Sequence, residues 1–210
     1  MNSSQDKRIC LIGYGGHALV ACDIFTECGQ SIYSYCDRVE KEFNPYNLAY
    51  WGDEQSLDPT HAKDTLFFPA IGSNTLRKDI FERITGIGGI FTNAIHPRAV
   101  VSRTADIGMA TMVAAGAVVN PWAKIGNGVI CNTSCAIDHE AVIEDFAHIG
   151  PGSVLCGNVF VGESSFVGAG TVVKPGVRIG RNVVIGAGAV VVKDVPDGMT
   201  VFGVPARPKP

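Results

Sequence analysis

From Ile95 onward the apolar positions of the chain fall every six residues. Val101, Ile107, Val113, Val119, Ile125, Cys131, Ile137, Ile143, Ile149, Leu155, Val161, Val167, Val173, Ile179, Ile185 and Val191 follow without a slip in register. The residue two before each is usually small, as in Ala99, Ala117, Ala141, Ser153 and Ala189, and glycine recurs between them at Gly116, Gly128, Gly152, Gly170, Gly176 and Gly188. A period of six is neither the 3.6 of a helix nor the 2 of a strand; it predicts a solenoid in which each hexad supplies one short strand and one corner. Three hexads close a triangular coil, so residues eighteen apart stack about 4.8 Å from each other. The aliphatic rung points into the prism, and the glycines suit corners of positive φ. The handedness rule for parallel crossovers, taken alone, favours a right-handed coil.

Before Ile95 the pattern is different. Lys7–Ile12 reads as a strand that breaks at Gly13-Tyr14-Gly15-Gly16-His17-Ala18, after which Ala18–Cys28 has helical spacing and stops at Gly29. Ser31–Cys36 and Thr65–Ile71 read as further strands, Thr75–Ile84 as a second amphipathic helix and Gly89–Ala94 as a last strand. The expected organisation is a small Rossmann-like parallel α/β domain over residues 1–92, followed by the β-helix over 93–210. The glycine turn satisfies G-x-G-x-x-A with Asp37 about twenty residues on, the spacing of a dinucleotide fingerprint. The domain is short for two mononucleotide halves. What the residues support is a helix N-terminus whose backbone N–H groups donate to a diphosphate, or a tight turn with no ligand. His17 would bond a phosphate or cap the helix, and Asp37 would meet a base or ribose or merely begin a turn.

Composition narrows the function. A formal charge of -3 with scattered Lys and Arg leaves no basic face, which argues against nucleic acid. No apolar run is long enough to span a membrane and the polar start Met1–Arg8 is no signal peptide, so a cytoplasmic protein is expected. Seven cysteines with no C-x-x-C pair point to reduced thiols rather than disulfides or zinc.

Within the repeats, Asn132, Asp138-His139-Glu140 and His148 interrupt a bland pattern. His139 lies two residues after rung Ile137 and should point away from the prism. Glu140 beside it could bond one ring nitrogen and leave the other as a base near neutral pH. Gly157, eighteen residues on, would stack over the imidazole, where its N–H could receive an oxyanion. His148 is half a coil from His139 and faces another side, so the two could meet only in a groove between adjacent prisms of a trimer. That groove would also suit a long ligand, with the small column Pro151, Ala169, Ala187 leaving room for a pantetheine-like chain. Outward Val118, Trp122, Phe146, Val154, Phe160 and Phe166 give the prism more apolar surface than an isolated β-helix should expose. His96, before Pro97, reads as a junction residue.

The motifs G-Y-G-G-H-A, A-I-G-S-N at 70–74, I-H-P at 95–97, N-T-S-C-A-I-D-H-E at 132–140, A-H-I-G at 147–150 and the ending D-V-P…G-V-P-A-R together resemble the bacterial nucleotide-sugar N-acetyltransferases that acylate a 4-amino-6-deoxyhexose. Sialic acid O-acetyltransferases are similar. The resemblance implies a left-handed β-helix, acetyl-CoA as co-substrate, no metal and a homotrimer. It also implies direct attack of the 4-amino group of a UDP-, dTDP- or GDP-linked 4-amino-4,6-dideoxy sugar on the thioester. Carried over by position, His139 would be the general base and Glu140 its orienting partner. Gly13, Gly15, Gly16, His17, Asp37 and Asn132 would lie on the substrate side. His148, Gly157, Ala169 and Ala187 would lie on the acetyl-CoA side. A zinc hydratase of the same β-helix type would need a third converging histidine, and a non-catalytic scaffold would need neither the glycine turn nor the D-H-E corner.

Overall fold

The structure, a computed structural model, describes residues 8–208; the polar start and Lys7 of the first expected strand lie outside them. The N-terminal body is a five-stranded, all-parallel sheet. Its elements are β1 (Arg8–Ile12), α1 (Gly16–Glu27), β2 (Ile32–Cys36), β3 (Ala49–Tyr50), α2 (Pro59–Ala62), β4 (Thr65–Pro69), α3 (Asn74–Gly86) and β5 (Ile90–Phe91). The sheet order is β3-β2-β1-β4-β5. The expected helices and the second strand hold within two residues at each end, but the strand from Thr65 ends at Pro69 rather than Ile71, and of Gly89–Ala94 only Ile90–Phe91 joins this sheet. Ala94 already belongs to the solenoid, where Ala94–Ile95 is the first strand.

From there the chain winds as the expected left-handed β-helix. Its two-residue strands pair in parallel at intervals of eighteen residues, as Val118–Val119 with Ala136–Ile137 and Ile130–Cys131 with His148–Ile149. The rungs from Val113 to Val191 are at most 4% exposed, whereas Ile95, Val101 and Ile107 at the open end are half-buried. Small hydroxyl residues inside the prism are satisfied by carbonyls of the next coil: Ser153 Oγ donates to Gly168 O at 2.8 Å and Ser165 Oγ to Gly180 O at 2.6 Å. A buried hydroxyl without such a partner would be costly, so each fixes the height of the coil above it.

Left-handed corners recur every six residues. Gly116, Gly128, Gly152, Gly170, Gly176 and Gly188 have φ of 59–73°, as the glycine pattern predicts. The same conformation is imposed on Ala110, Trp122, Ser134, Glu140, Phe146, Asn158, Ser164 and Asn182, at φ 52–63°. Closing the coil therefore outweighs the cost of the left-handed region for an L-residue.

The three faces differ outside. The first face presents Ala94, Met112, Ile130, His148, Phe166 and Val184; the second Val100, Val118, Ala136, Val154, Val172 and Val190; the third Asp106, Lys124, Val142, Phe160 and Arg178. The N-terminal body sits on the first face, where α1 packs Ala18, Ala21, Cys22 and Phe25 into one apolar cluster with Ala94, Met112 and Ile130. It also grips the edge between the third and first faces. There Asn74 Nδ2 donates to Ser164 O at 2.9 Å, Lys78 pairs with Glu163 at 2.6 Å, and Phe81 packs edge-on against Phe146. Phe146 is thus 4% exposed, which corrects its expected place on an open outer face: its own chain's α3 covers it. Phe160 is half-covered by the Arg178 guanidinium, 4.0 Å above its ring.

Candidate active site

The glycine turn opens a cleft of about 360 Å³. One wall is Gly13–His17 with Asp37 and Arg38; the other is Ala70–Gly72 with Leu76 and Ile80 of α3, and Glu54 closes one end. Gly13 has φ 88°, and a Cβ there would lie 2.6 Å from Ile71, so glycine is required both by conformation and by space. At Gly15 and Gly16 a Cβ would meet nothing within 4 Å: these glycines leave the space open for a ligand to approach the start of α1. No side chain caps that helix, so its first N–H groups face the cleft.

Asp37 holds the turn in place. Its Oδ2 accepts Tyr14 N–H at 2.9 Å, while Oδ1 accepts Arg38 N–H at 2.8 Å and pairs with Lys41 at 3.0 Å. Partial burial opposes its ionisation, but the Tyr14 amide, Lys41 and the Arg38 amide outweigh that and keep its carboxyl below the usual range. Glu54, 7% exposed and paired with Arg83 at 3.1 Å, is a second cleft carboxylate that the sequence reading missed. Residues 37–64 carry no clear period, and only the Asp53 and Asp58 caps of the short turns there signal structure.

Three candidates converge where the cleft meets the prism. The His17 ring stands edge-on to His148, centroids 5.5 Å apart, and His148 is likewise edge-on to Phe166 at 5.0 Å. Asn132 Oδ1 accepts Thr133 N–H at 2.8 Å, which turns its Nδ2 toward His148 Nε2 at 3.1 Å. His148 Nε2 is then an acceptor and its proton sits on Nδ1. His148 is 5% exposed; burial first, then Arg77 and His17, push its basicity down to about 3, with the Gly72 backbone opposing. Burial, then Arg77, also lowers that of His17. His148, expected to contact the acetyl group, is packed in its own chain against the glycine turn.

His139 lies on a different edge, between the second and third faces, with its side chain 57% exposed. Its Nδ1 is 3.1 Å from Glu140 Oε2, and its backbone N–H donates to Asp138 Oδ1 at 2.8 Å. Asp138 in turn accepts Asn120 Nδ2 at 2.9 Å, so the corner is braced from the coil below. Gly157 stacks over the imidazole as the eighteen-residue repeat predicts. A Cβ on it would lie 2.6 Å from both Cε1 and Nε2, so only glycine lets the backbone come this close. Its N–H has no acceptor among the described residues. Pro151, Ala169 and Ala187 form an exposed corner column on the edge between the first and second faces, stacked through Gly170 N–H to Pro151 O and Gly188 N–H to Ala169 O, both 2.8 Å. His96 is 2% exposed and accepts Arg98 N–H on Nδ1, in keeping with a junction role.

Among the described residues no three His, Cys, Asp or Glu side chains come together as metal ligands, and no helix is long and apolar enough to cross a membrane. Five of the seven thiols are buried; Cys28 is exposed and Cys156 half-buried.

Comparison with known proteins agrees with this geometry. Residues 8–84 match the PglD N-terminal domain and residues 158–193 the bacterial transferase hexapeptide (six repeats). A curated relative, UDP-N-acetylbacillosamine N-acetyltransferase of Bacillus subtilis, is 35% identical over 113 residues, which is 52% of this chain and about half (52%) of that enzyme. The acetyltransferase domain of PglB from Neisseria gonorrhoeae, solved with acetyl coenzyme A, is 35% identical over 97% of this chain and 100% of its own, with a TM-score of 0.90. PerB from Caulobacter crescentus, solved with CoA and GDP-perosamine, is 37% identical over 96% of this chain and 97% of its own, also at 0.90. Matched over 96–97% of its length by the PglB domain and PerB, in both its cleft-bearing sheet and its prism, the chain belongs to the hexapeptide-repeat nucleotide-amino-sugar N-acetyltransferases.

Proposed function

We propose that the protein transfers the acetyl group of acetyl-CoA to the 4-amino group of a nucleotide-linked 4-amino-4,6-dideoxy sugar, with His139 as general base. The observation that carries this reading is the corner itself: an exposed imidazole with one nitrogen on Glu140 and the other packed against Gly157, whose backbone N–H is unengaged. Glu140 fixes the tautomer with the proton on Nδ1 and leaves Nε2 as the base. The amine attacks the thioester carbon, His139 Nε2 takes the amine proton, and the Gly157 N–H meets the oxygen as it gains negative charge. Collapse of the tetrahedral species then breaks the C–S bond and expels the CoA thiolate. No cysteine is needed as an acyl carrier.

The working unit in this reading is a homotrimer with each site shared between two chains. The outward residues of the second face are all apolar, with Val100 64% and Val172 39% exposed, and burying that stripe at a three-fold axis removes the apolar surface. When three prisms turn their second faces to one axis, the His139 edge of one meets the edge bearing Ala169 and Ala187 of the next. His148, Asn132 and His17 then lie on the acceptor side, at the end of the diphosphate cleft. CoA runs along the groove beside Ala169 and Ala187.

The test is a panel of UDP-, dTDP- and GDP-linked 4-amino sugars and free sialic acid, each with acetyl-CoA, followed by thiol release and product mass. Acetylation on nitrogen of at least one nucleotide sugar is expected. Acetylation of sialic acid alone would replace the reading with an O-acetyltransferase, and no transfer at all would leave a scaffold.

A further inference from the structure

Arg77, in the first turn of α3, is 1% exposed, yet none of its partners is a carboxylate. All five N–H donors are taken. Nε donates to Gly128 O at 2.6 Å, Nη1 to Ile71 O at 2.9 Å and Gly72 O at 3.2 Å, and Nη2 to Asn74 Oδ1 and Phe146 O, both at 2.8 Å. The acceptors belong to two bodies. Gly128 and Phe146 are stacked corners of the prism, whereas Ile71 and Gly72 form the wall of the cleft. Gly72 is the residue that presses on His17: a Cβ there would lie 2.6 Å from His17 Cε1. One side chain therefore ties the prism that carries His148 to the loop that backs His17.

A guanidinium saturated by neutral oxygens is well bonded but its charge is not cancelled. The polar atoms next to it are buried and incomplete: His17 Nε2 has no hydrogen-bond partner, and His148 Nδ1 has only the Gly72 backbone near it, outside hydrogen-bond geometry. A proton added to either ring would place a second cation beside the first in a partly buried setting, where screening is weaker than in water.

We propose that Arg77 is a positioning residue for the acceptor side of the active site: its fork locks the Ile71–Gly72 loop to the prism and so sets the His17–His148 pair. The charged and titratable groups acting on His148 are Arg77 and His17, and on His17 it is Arg77. His17 lines the cleft, where a neutral ring can hydrogen-bond an uncharged amine or hydroxyl of the acceptor, while His148, held by Asn132, backs it.

This rests on the transfer reading for its kinetic arm only. In that arm Arg77→Lys keeps the charge and loses the fork; the Michaelis constant for an accepted nucleotide sugar should rise about tenfold while that for acetyl-CoA stays within twofold. In the second arm, the five histidines of the full-length protein are labelled at 13Cε1 and titrated by NMR from pH 5 to 8, with assignments from single His→Gln variants. The His148 signal should keep its neutral shift across this range in the parent, since burial is the chief cause of its low basicity, and the His17 and His148 signals should move from their parent positions in Arg77→Lys and Arg77→Met while those of His61 and His139 do not. If Arg77→Met does not fold, the decision falls to Arg77→Lys, whose folding is checked by thermal unfolding. A folded Arg77→Lys with an unchanged acceptor constant, or with His17 and His148 signals at their parent positions, overturns the proposal. Absence of transfer in the parent protein would refute the enzymatic reading and leave the NMR arm to judge Arg77.

Discussion

Gly157→Ala separates catalysis from stability, because the two effects have opposite signs at this position. The added Cβ would sit 2.6 Å from His139 Cε1 and Nε2, against the roughly 3.5–4.0 Å of a relaxed carbon contact. The imidazole must therefore retreat by about 1 Å, and its side chain is exposed enough to swing outward. Misplacing a catalytic group by about 1 Å costs on the order of 100-fold in rate, within the 10²–10⁴ that a general base contributes. We expect kcat to fall about 100-fold, equivalent to about 2.7 kcal/mol of activation free energy. Gly157 is not among the positive-φ corners, so alanine adds no backbone strain and lowers the entropy of the unfolded chain, which stabilises by about 0.4–1 kcal/mol. The assay is steady-state thiol release beside a thermal unfolding curve. Activity within threefold of the parent, or a loss that tracks a falling Tm, would refute the stacked-base geometry.

Mixing inactive His139→Ala and inactive His148→Ala chains should partly restore activity after subunit exchange; no recovery in verified mixed trimers would rule out a shared site. Val172→Glu on the second face should give a folded monomer by sedimentation with little activity, and an active trimer would remove that face from the interface. Cys156→Ala should keep most activity, and a loss like that of a His139 variant would point to an acyl-enzyme instead. Asp37→Asn should weaken UDP and GDP binding in calorimetry by about tenfold, as the hydrogen bond to the Tyr14 amide slackens. Because the folded pKa of Asp37 is depressed, its contribution is complete above about pH 3.9 and is lost as pH falls through the lower folded value. The stability gap between parent and variant should accordingly close only in acid, and a gap that closes near neutrality would contradict this account.

The solenoid was legible because its period is enforced at every coil. A rung that slipped by one residue would put its side chain outside the prism, so the pattern in the sequence is the fold written linearly. Stacking by eighteen then gave the Gly157–His139 contact without any structure. The left-handed corners were only half visible: glycine marks six of them, while Glu140, Phe146 and their like adopt the same conformation with nothing in their identity to announce it. What the sequence concealed lies between the two bodies. Arg77 meets Gly128 and Phe146, residues 51 and 69 positions away, and no local period encodes such a distance. For the same reason Phe146 looked like outer surface and His148 like an open side chain. Both lie on prism positions that point outward, but the N-terminal body fills the space in front of them.

The corner column Ala110, Gly128, Phe146, Ser164, Asn182 raises a problem of alignment that the fold resolves. To a body docking along the prism, successive coils offer the same carbonyls at the same φ, about 4.8 Å apart, so a slip by one step would lose few backbone contacts. One coil breaks that translational symmetry. Gly128 alone in the column lacks a side chain, and the Phe146 ring lies where its Cβ would be, 2.6 Å away. The pair works as a keyed notch in a ladder of otherwise equal steps. Shifted upward by one coil, Arg77 would meet Phe146 in place of Gly128 and Ser164 in place of Phe146, with the aromatic ring no longer facing Phe81. Beside the Lys78–Glu163 pair and the α1 cluster, this glycine–phenylalanine pair thus helps set the height of the cleft above the His139 coil, and exchanging those two residues would be expected to blur the alignment before it unfolded either body.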